Sequence, residues 1–398
     1  MPFSNQIQIF KDKTDNFISE DLLIEKLKED RPLKIKFGID PTATDLHLGH
    51  LVLINKLKQL QKLGHEIHIV IGDTTAQIGD PTGKNKKRIQ LSHSDVLHNS
   101  SLILNQLYKI LDKNLITVHF NSEWFNNFTL KDILLILSST TIQQITERRD
   151  FKNRIKNEEP LFLNEVFYPL MQGYDSIQLK ADVEIGGSDQ LLNILMGRDL
   201  QSKFNQKSQI VLTLPILEGT DGKEKMSKSL GNYISLNETP TDFFGKIMSI
   251  PDSMIMKYFD LLVISDSNFE LLTIQILFEK NPMLAKKYLG EALLTQIFPD
   301  IISSQIIEDF NNKFSKKDLS NIKYEKYVFN PNTDEKLLKL ILNTKAVDSL
   351  TQARNLLKQG AIKINNQKIF DMEFRIPTKN FHLIVGKKKF FEIIMDKN

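Results

Sequence analysis

Apolar residues recur at helical spacing over residues 18–29 (ISEDLLIEKLKE), and Pro32 follows as a breaker. KIKFGI (34–39) is a short β-prone run, DPTATD is a polar turn, and HLGHLVLINKLKQLQKLG carries an apolar stripe opposite lysines, with Gly64 as its stop. EIHIVIGD (66–73) is again strand-like, so residues 34–73 predict a strand, helix, strand unit of the parallel type. Residues 130–205 look mainly helical with interruptions, and IVLTLPIL (210–217) is the next convincing strand. Helices are expected after Tyr233, then a polar stretch without a period up to about residue 335, then a small α-then-β module.

The fold class this predicts is α/β: a Rossmann-like parallel-sheet domain with a helical insertion, a helical domain, and a small α+β module at the end. The expected boundaries are 1–232, 233–320, a linker over 321–335, and 336–398. In such open sheets ligands sit beyond the carboxyl ends of the strands, which places DPTATDLHLGH and GDTTAQIGDPTG in one cleft.

Composition narrows the chemistry. With 41% hydrophobic and 25% charged residues, the chain reads as an ordinary soluble protein, and no apolar run is long enough to span a bilayer. Zero cysteines exclude disulfides, thiolate zinc sites and cysteine nucleophiles. The first residues lack the features of a signal or transit peptide, so cytoplasm is the expected compartment. A net charge of +3 is too small for a polycation, so nucleic acid would have to be held by local clusters such as Lys84 to Arg88 or Arg148 to Lys156.

Two segments carry candidate chemistry. His47-Leu48-Gly49-His50 lies where the turn enters the helix, and free backbone N–H groups and the helix dipole there favour a phosphate. Two histidines at i and i+3 share a face and can both donate to it, whereas a metal pair lacks a third ligand at typical spacing. Lys225-Met226-Ser227-Lys228-Ser229 sits between Gly222 and Gly231, on a loop expected to move, and its ammonium groups suit neutralisation of charge on a triphosphate. GDPTGK (79–84) is one residue short of a P-loop, and no GxGxxG opens the first helix.

Taken in order, DPTATDLHLGH and KMSKS resemble the two signatures of class I aminoacyl-tRNA synthetases. FGIDPT, IGDPTGK, YPLMQGYD and IGGSDQ narrow the resemblance to the tyrosyl-tRNA synthetase family, from about residue 30 to the end of the chain. The resemblance implies L-tyrosine, ATP with Mg2+ and tRNA(Tyr) as substrates, with no protein-bound metal, and a homodimer built through residues 120–180. It implies that Gly38, Asp40, Asp80, Tyr168, Gln172, Asp175 and Gln190 hold tyrosine, with Asp175 accepting the phenolic hydrogen bond. His47, Gly49, His50, Gly187, Asp189, Lys225 and Lys228 would hold ATP. Thr42, His47, His50, Lys84, Arg88, Lys225 and Lys228 would stabilise the transferring phosphate and the departing pyrophosphate. The closing module resembles an S4 RNA-binding domain, with Arg354, Lys358 and Lys363 facing RNA.

Lys36 and Glu184 depart from the family's best-known form, which has a second tyrosine and often a glutamine there. Lys36 either donates to the phenol oxygen or pairs with an acid; the sequence leaves both open. A ligase passing its adenylate to a small amine, or an RNA scaffold without catalysis, are the alternatives. The S4-like module argues against the first, and intact HLGH and KMSKS against the second.

Overall fold

A computed structural model describes residues 3–78, 92–264, 269–312, 324–330, 336–365, 367–372, 374–386 and 389–396. The chain divides into two compact units, Met1–Phe310 and Asn311–Asn398.

The first unit is built on a six-stranded sheet of β1 (Asn16–Ile18), β2 (Lys34–Ile39), β3 (Glu66–Ile71), β4 (Ile116–Phe120), β5 (Val183–Gly187) and β6 (Ile210–Leu214). Their spatial order is β1-β6-β5-β2-β3-β4, with β2 to β6 parallel and only the three-residue β1 antiparallel. The chain runs outward from β2 through β3 to β4, then returns to place β5 on the other side of β2. That reversal opens a crevice at the carboxyl ends of β2 and β5, the place where such sheets bind ligands.

β2, β3, β5 and β6 are buried along most of their length, as expected of strands covered on both faces. Ile35, Phe37, Ile67, Ile69, Val183, Ile185, Ile210 and Leu212 are buried in one core with Leu48, Leu51, Ile54 and Leu57 of the helix Leu48–Lys62. The same core takes in Phe243, Phe244, Tyr258, Leu289 and Leu293 from the helices after Tyr233.

Several sequence expectations are modified. The helix read over 18–29 is shorter, Glu20–Leu27, because Asn16–Ile18 joins the sheet edge. The largely helical stretch 130–205 contains β5, a central strand. The segment 321–335 supplies a strand, Glu325–Phe329, to the second sheet.

That sheet comprises β7 (Glu325–Phe329), β8 (Ile362–Ile364), β9 (Gln367–Ile369), β10 (Phe381–Val385) and β11 (Lys389–Met395), in the order β7-β11-β10-β8-β9. Its inward face packs on the helices Leu337–Asn343 and Leu350–Lys358 through Leu340, Ile341, Leu357, Ile364, Leu383 and Phe391. Arg354 and Lys358 lie exposed on the second helix, and Lys363 is half-buried on β8.

Candidate active site

A cavity of about 340 Å³ opens at the crevice between β2 and β5. Gly38, Asp40, Thr42, His47, Gly49, His50, Tyr168, Gln172, Asp175, Gly187, Asp189, Gln190, Lys225 and Lys228 all line it. Each was singled out from the sequence, and the fold brings residues some 190 positions apart to one space. Asp80, Lys84 and Arg88 lie outside the described residues.

His47 is the N-cap of the helix Leu48–Lys62. Its Nδ1 accepts from the Gly49 N–H at 3.2 Å, and the Nδ1 of His50 accepts from the His47 N–H at 3.2 Å. With both Nδ1 atoms used as acceptors, the proton of each neutral ring resides on Nε2. Burial is the main cause that pulls His47 down to about 2 and His50 to about 4; His50 and then Lys228 and Lys225 lower His47 further, and Lys228 lowers His50 further. Both rings are therefore neutral at physiological pH, and each offers one N–H donor at the mouth of a helix.

Gly49 is required by this arrangement. A Cβ there would stand 2.9 Å from His47 Cε1 and 3.0 Å from its Nδ1. Gly49→Ala should swing the His47 ring away and break its bond to the backbone. We expect a loss of about five- to ten-fold in the rate of chemistry at this site, the worth of about one hydrogen bond, with little change in thermal unfolding. Undiminished activity would show that the His47 position is unimportant.

The loop bearing Lys225 and Lys228 is tied down more firmly than its glycines suggest. Met226 is buried, and its N–H donates to Leu217 O at 2.8 Å. The buried Asn232 accepts from the Ser227 N–H at 2.9 Å and donates to Asp221 Oδ2 at 2.9 Å and Lys225 O at 3.2 Å. Backbone bonds from Leu48 N to Ile234 O and from Leu236 N to Leu46 O lace the end of this loop to the histidine segment. Lys228 Nζ stands 3.9 Å from Asp45, and Lys225 lies 3.2 Å from Asp189. Burial lowers the affinity of the Lys228 amine for its proton, so an anion reaching it meets a poorly hydrated charge.

At the opposite end, the helix Leu163–Leu179 presents Tyr168, Gln172 and Asp175 at i, i+4 and i+7. Tyr168 donates its hydroxyl to Asp40 Oδ2 at 3.0 Å, and Thr75 donates to Asp40 Oδ1 at 2.7 Å. Gly72 leaves room for that carboxylate, since a Cβ would fall 2.0 Å from Asp40 Oδ1. Asp175 is buried, and burial raises it to about 7 against the pull of Lys36 and of the Trp124 indole, which donates to its Oδ1 at 2.9 Å.

Sequence reading placed GDTTAQIGDPTG in the cleft without singling out its Gly72 and Thr75, and it missed Trp124. The chain's single tryptophan, standing 51 positions before Asp175, was the one available signal. Lys36 is absent from the cavity wall: it ion-pairs with Glu184 at 3.0 Å, which settles the open alternative in favour of an acid partner.

A family model described as tRNA synthetases class I (W and Y) matches residues 28–315, and one for the tyrosine–tRNA ligase SYY-like C-terminal domain matches 312–393. The tyrosine–tRNA ligase of Carboxydothermus hydrogenoformans is 44% identical over 407 residues, covering 98% of either chain. That of Haemophilus influenzae is 42% identical over 385 residues, covering 96% of this chain and 95% of its own. Among solved structures, a C-terminally truncated mitochondrial tyrosyl-tRNA synthetase of Aspergillus nidulans superposes with a TM-score of 0.64 at 21% identity, covering 77% of this chain and 94% of its own. The tyrosyl-tRNA synthetase of Archaeoglobus fulgidus, complexed with L-tyrosine, gives 0.61 at 22% identity, covering 77% of this chain and all of its own. These two show a shared fold. Relatives matched from end to end at more than 40% identity show more, and by them the chain belongs to the tyrosine–tRNA ligase family of class I tRNA synthetases.

Proposed function

We propose that this protein activates L-tyrosine with ATP and passes it to the 3′ end of tRNA(Tyr). The observation that carries the reading is the convergence, on one cavity, of His47 and His50 with Lys225 and Lys228, facing Tyr168, Gln172 and Asp175. One end is built for phosphate and the other for a polar aromatic amino acid.

In the first step an oxygen of the tyrosine carboxylate attacks the α-phosphorus of ATP in line. The new O–P bond forms as the bond to the β-phosphate oxygen breaks, giving tyrosyl-adenylate and pyrophosphate. The carboxylate is ionised at neutral pH, so no general base is needed, and catalysis rests on orientation and charge stabilisation. Thr42 and the Nε2–H donors of His47 and His50 face the transferring phosphate, while Lys225 and Lys228, with Lys84 and Arg88, hold the departing pyrophosphate. Gly49 admits the flat adenine, and Gly187 and Asp189 take the ribose. In the second step a ribose hydroxyl of tRNA attacks the adenylate carbonyl and releases AMP.

Tyrosine's ammonium falls to Asp80, Tyr168 and Gln172, with Gly38 and Asp40 shaping the wall, its phenol to Asp175, and its carboxylate lies beside Gln190. Mg2+ enters as part of the nucleotide substrate through phosphate oxygens. No group of three or more metal-binding side chains occurs among the described residues.

We assign tRNA contacts in the second unit, as an S4-like domain, to Arg354, Lys358 and Lys363. A homodimer is supported by apolar side chains exposed on residues 130–163, with Leu130 71%, Ile142 73% and Leu163 86% exposed. We place the enzyme in the cytoplasm; no described helix is long and apolar enough to cross a membrane.

The test is exchange of labelled pyrophosphate into ATP with a panel of amino acids. Tyrosine alone should drive it. Exchange driven by tryptophan, or none with any amino acid, would overturn the reading.

A further inference from the structure

Lys36 and Glu184, the two departures from the family's best-known form, are parts of one arrangement. They are register partners on adjacent parallel strands, and both are buried. Besides its ion pair, Lys36 Nζ donates to Gln172 O at 2.6 Å and to Ser176 Oγ at 2.8 Å. Its three protons are thereby spent. Glu184 accepts from Gln172 Nε2 at 3.0 Å, Ser176 Oγ at 3.0 Å and Gln209 Nε2 at 2.5 Å.

The other face of the Gln172 amide is also engaged. Its Oε1 accepts from Asn193 Nδ2 at 3.1 Å, and Asn193 Oδ1 accepts from Arg148 Nη1 at 2.5 Å. Arg148, at the N-cap of the helix Arg149–Lys156, is held by two bonds to Asp150 at 3.1 and 2.8 Å and lies 4.5 Å over the Phe151 ring.

Direction follows from the two ends. A guanidinium only donates and a carboxylate beside an ammonium only accepts, so every amide between them has one orientation. Gln172 cannot turn over without losing both neighbours. An isolated glutamine would present either its oxygen or its NH2 group to the cavity, and only the oxygen attracts a cation.

We propose that the chain Arg148, Asn193, Gln172, Glu184 and Lys36 is a positioning device that holds the Gln172 carbonyl oxygen, with its second lone pair, for the ammonium group of the amino acid substrate. The proposal rests on reading this cavity as the tyrosine site. Lys36 and Arg148 act through Gln172 and touch no substrate. The device also joins the amino acid pocket to the segment of residues 142–156, a connection the sequence spreads over 112 positions.

The experiment is pyrophosphate exchange with the full-length double variant Lys36→Met/Glu184→Gln, in which neutral side chains of similar size replace the ion pair, a change that folded cores commonly tolerate. The introduced amide can donate as well as accept, so only the bond from Asn193, in place of two bonds, still opposes turning the Gln172 NH2 group to the cavity. KM for tyrosine should rise about ten-fold, KM for ATP should stay within about two-fold, and inhibition by 3-(4-hydroxyphenyl)propionate, which has phenol and carboxylate but no ammonium, should be unchanged. Arg148→Gln frees Asn193, leaving only the bond to Glu184 against turning Gln172 over, and should give the same pattern should the double variant fail to fold. Arg148→Lys, which still only donates, should restore the parent's KM.

Tyrosine KM values unchanged in both variants, or a common rise for tyrosine, ATP and the inhibitor, would overturn the proposal while the parent's exchange stood. Absence of tyrosine-dependent exchange in the parent would instead remove the functional reading, and this inference with it.

Discussion

Lys228→Ala should cut tyrosine-dependent pyrophosphate exchange by about 10²- to 10³-fold, the usual cost of removing one preorganised group that stabilises transition-state charge. Tyrosine binding, measured by equilibrium dialysis without ATP, should hold within about two-fold, because Lys228 lies at the phosphate end, near Asp45, and not beside Asp175. The size of the loss follows from the setting. The amine is partly buried in a wall that also buries two neutral imidazoles, so its charge is less screened by water than that of the more exposed Lys225. A second effect has a definite sign. Lys228 helps to depress His47 and His50, so its removal lets both histidines take protons more readily, and the acid limb of the rate profile should move towards higher pH. Equal losses in exchange and in tyrosine binding would contradict the assigned role.

Much of this site was legible because its parts are local. A turn that enters a helix at His47 and a lysine pair between Gly222 and Gly231 announce themselves over a few residues. So does the face of Tyr168, Gln172 and Asp175, whose spacing on a helix needs no tertiary information. The central strand β5 was hidden for a physical reason. Its sequence VEIGG puts a charge and two glycines where a buried strand should be continuously apolar, and the cross-strand ion pair with Lys36, together with bonds from Gln172, Ser176 and Gln209, makes Glu184 tolerable inside. The same pairing decides that Lys36 is a support rather than a contact, and no single-sequence signal distinguishes the two.

Firmness of the lysine loop was hidden for a related reason. Gly222 and Gly231, with φ of +66° each, read as freedom, whereas here they make the turns that let Asn232 reach back to Ser227, Asp221 and Lys225. Trp124 is a further case: its role depends on a contact between the short helix Ser122–Phe125 and the helix Leu163–Leu179, which neither segment reveals alone.

Asp175→Asn should lower kcat/KM for tyrosine by about 10- to 100-fold, the range for losing a hydrogen bond to a buried charged acceptor, and should leave phenylalanine, which has no hydroxyl, nearly unaffected. The Trp124 indole can still donate to the oxygen of the substituted amide, which turns the new NH2 group toward the phenol and removes its acceptor. Asp175 also makes a pH prediction whose sign can be worked out. Burial lifts it to about 7, whereas an unfolded aspartate titrates near pH ~4, so between these values the folded protein holds a proton that the unfolded chain has lost. Its contribution to stability is fully present below about pH 4 and declines as pH rises through about 7. The asparagine variant lacks that slope, so it should melt higher than the parent at pH 8, with the gap closing toward pH 4. Tyrosine reverses the balance, since its hydroxyl donates to the ionised carboxylate. Its KM should therefore fall as pH rises from 6 to 8, and binding should release a proton, readable by calorimetry in buffers of different ionisation enthalpy. A tyrosine KM that is flat across that range, together with discrimination against phenylalanine unchanged in the asparagine variant, would show that Asp175 does not meet the phenol.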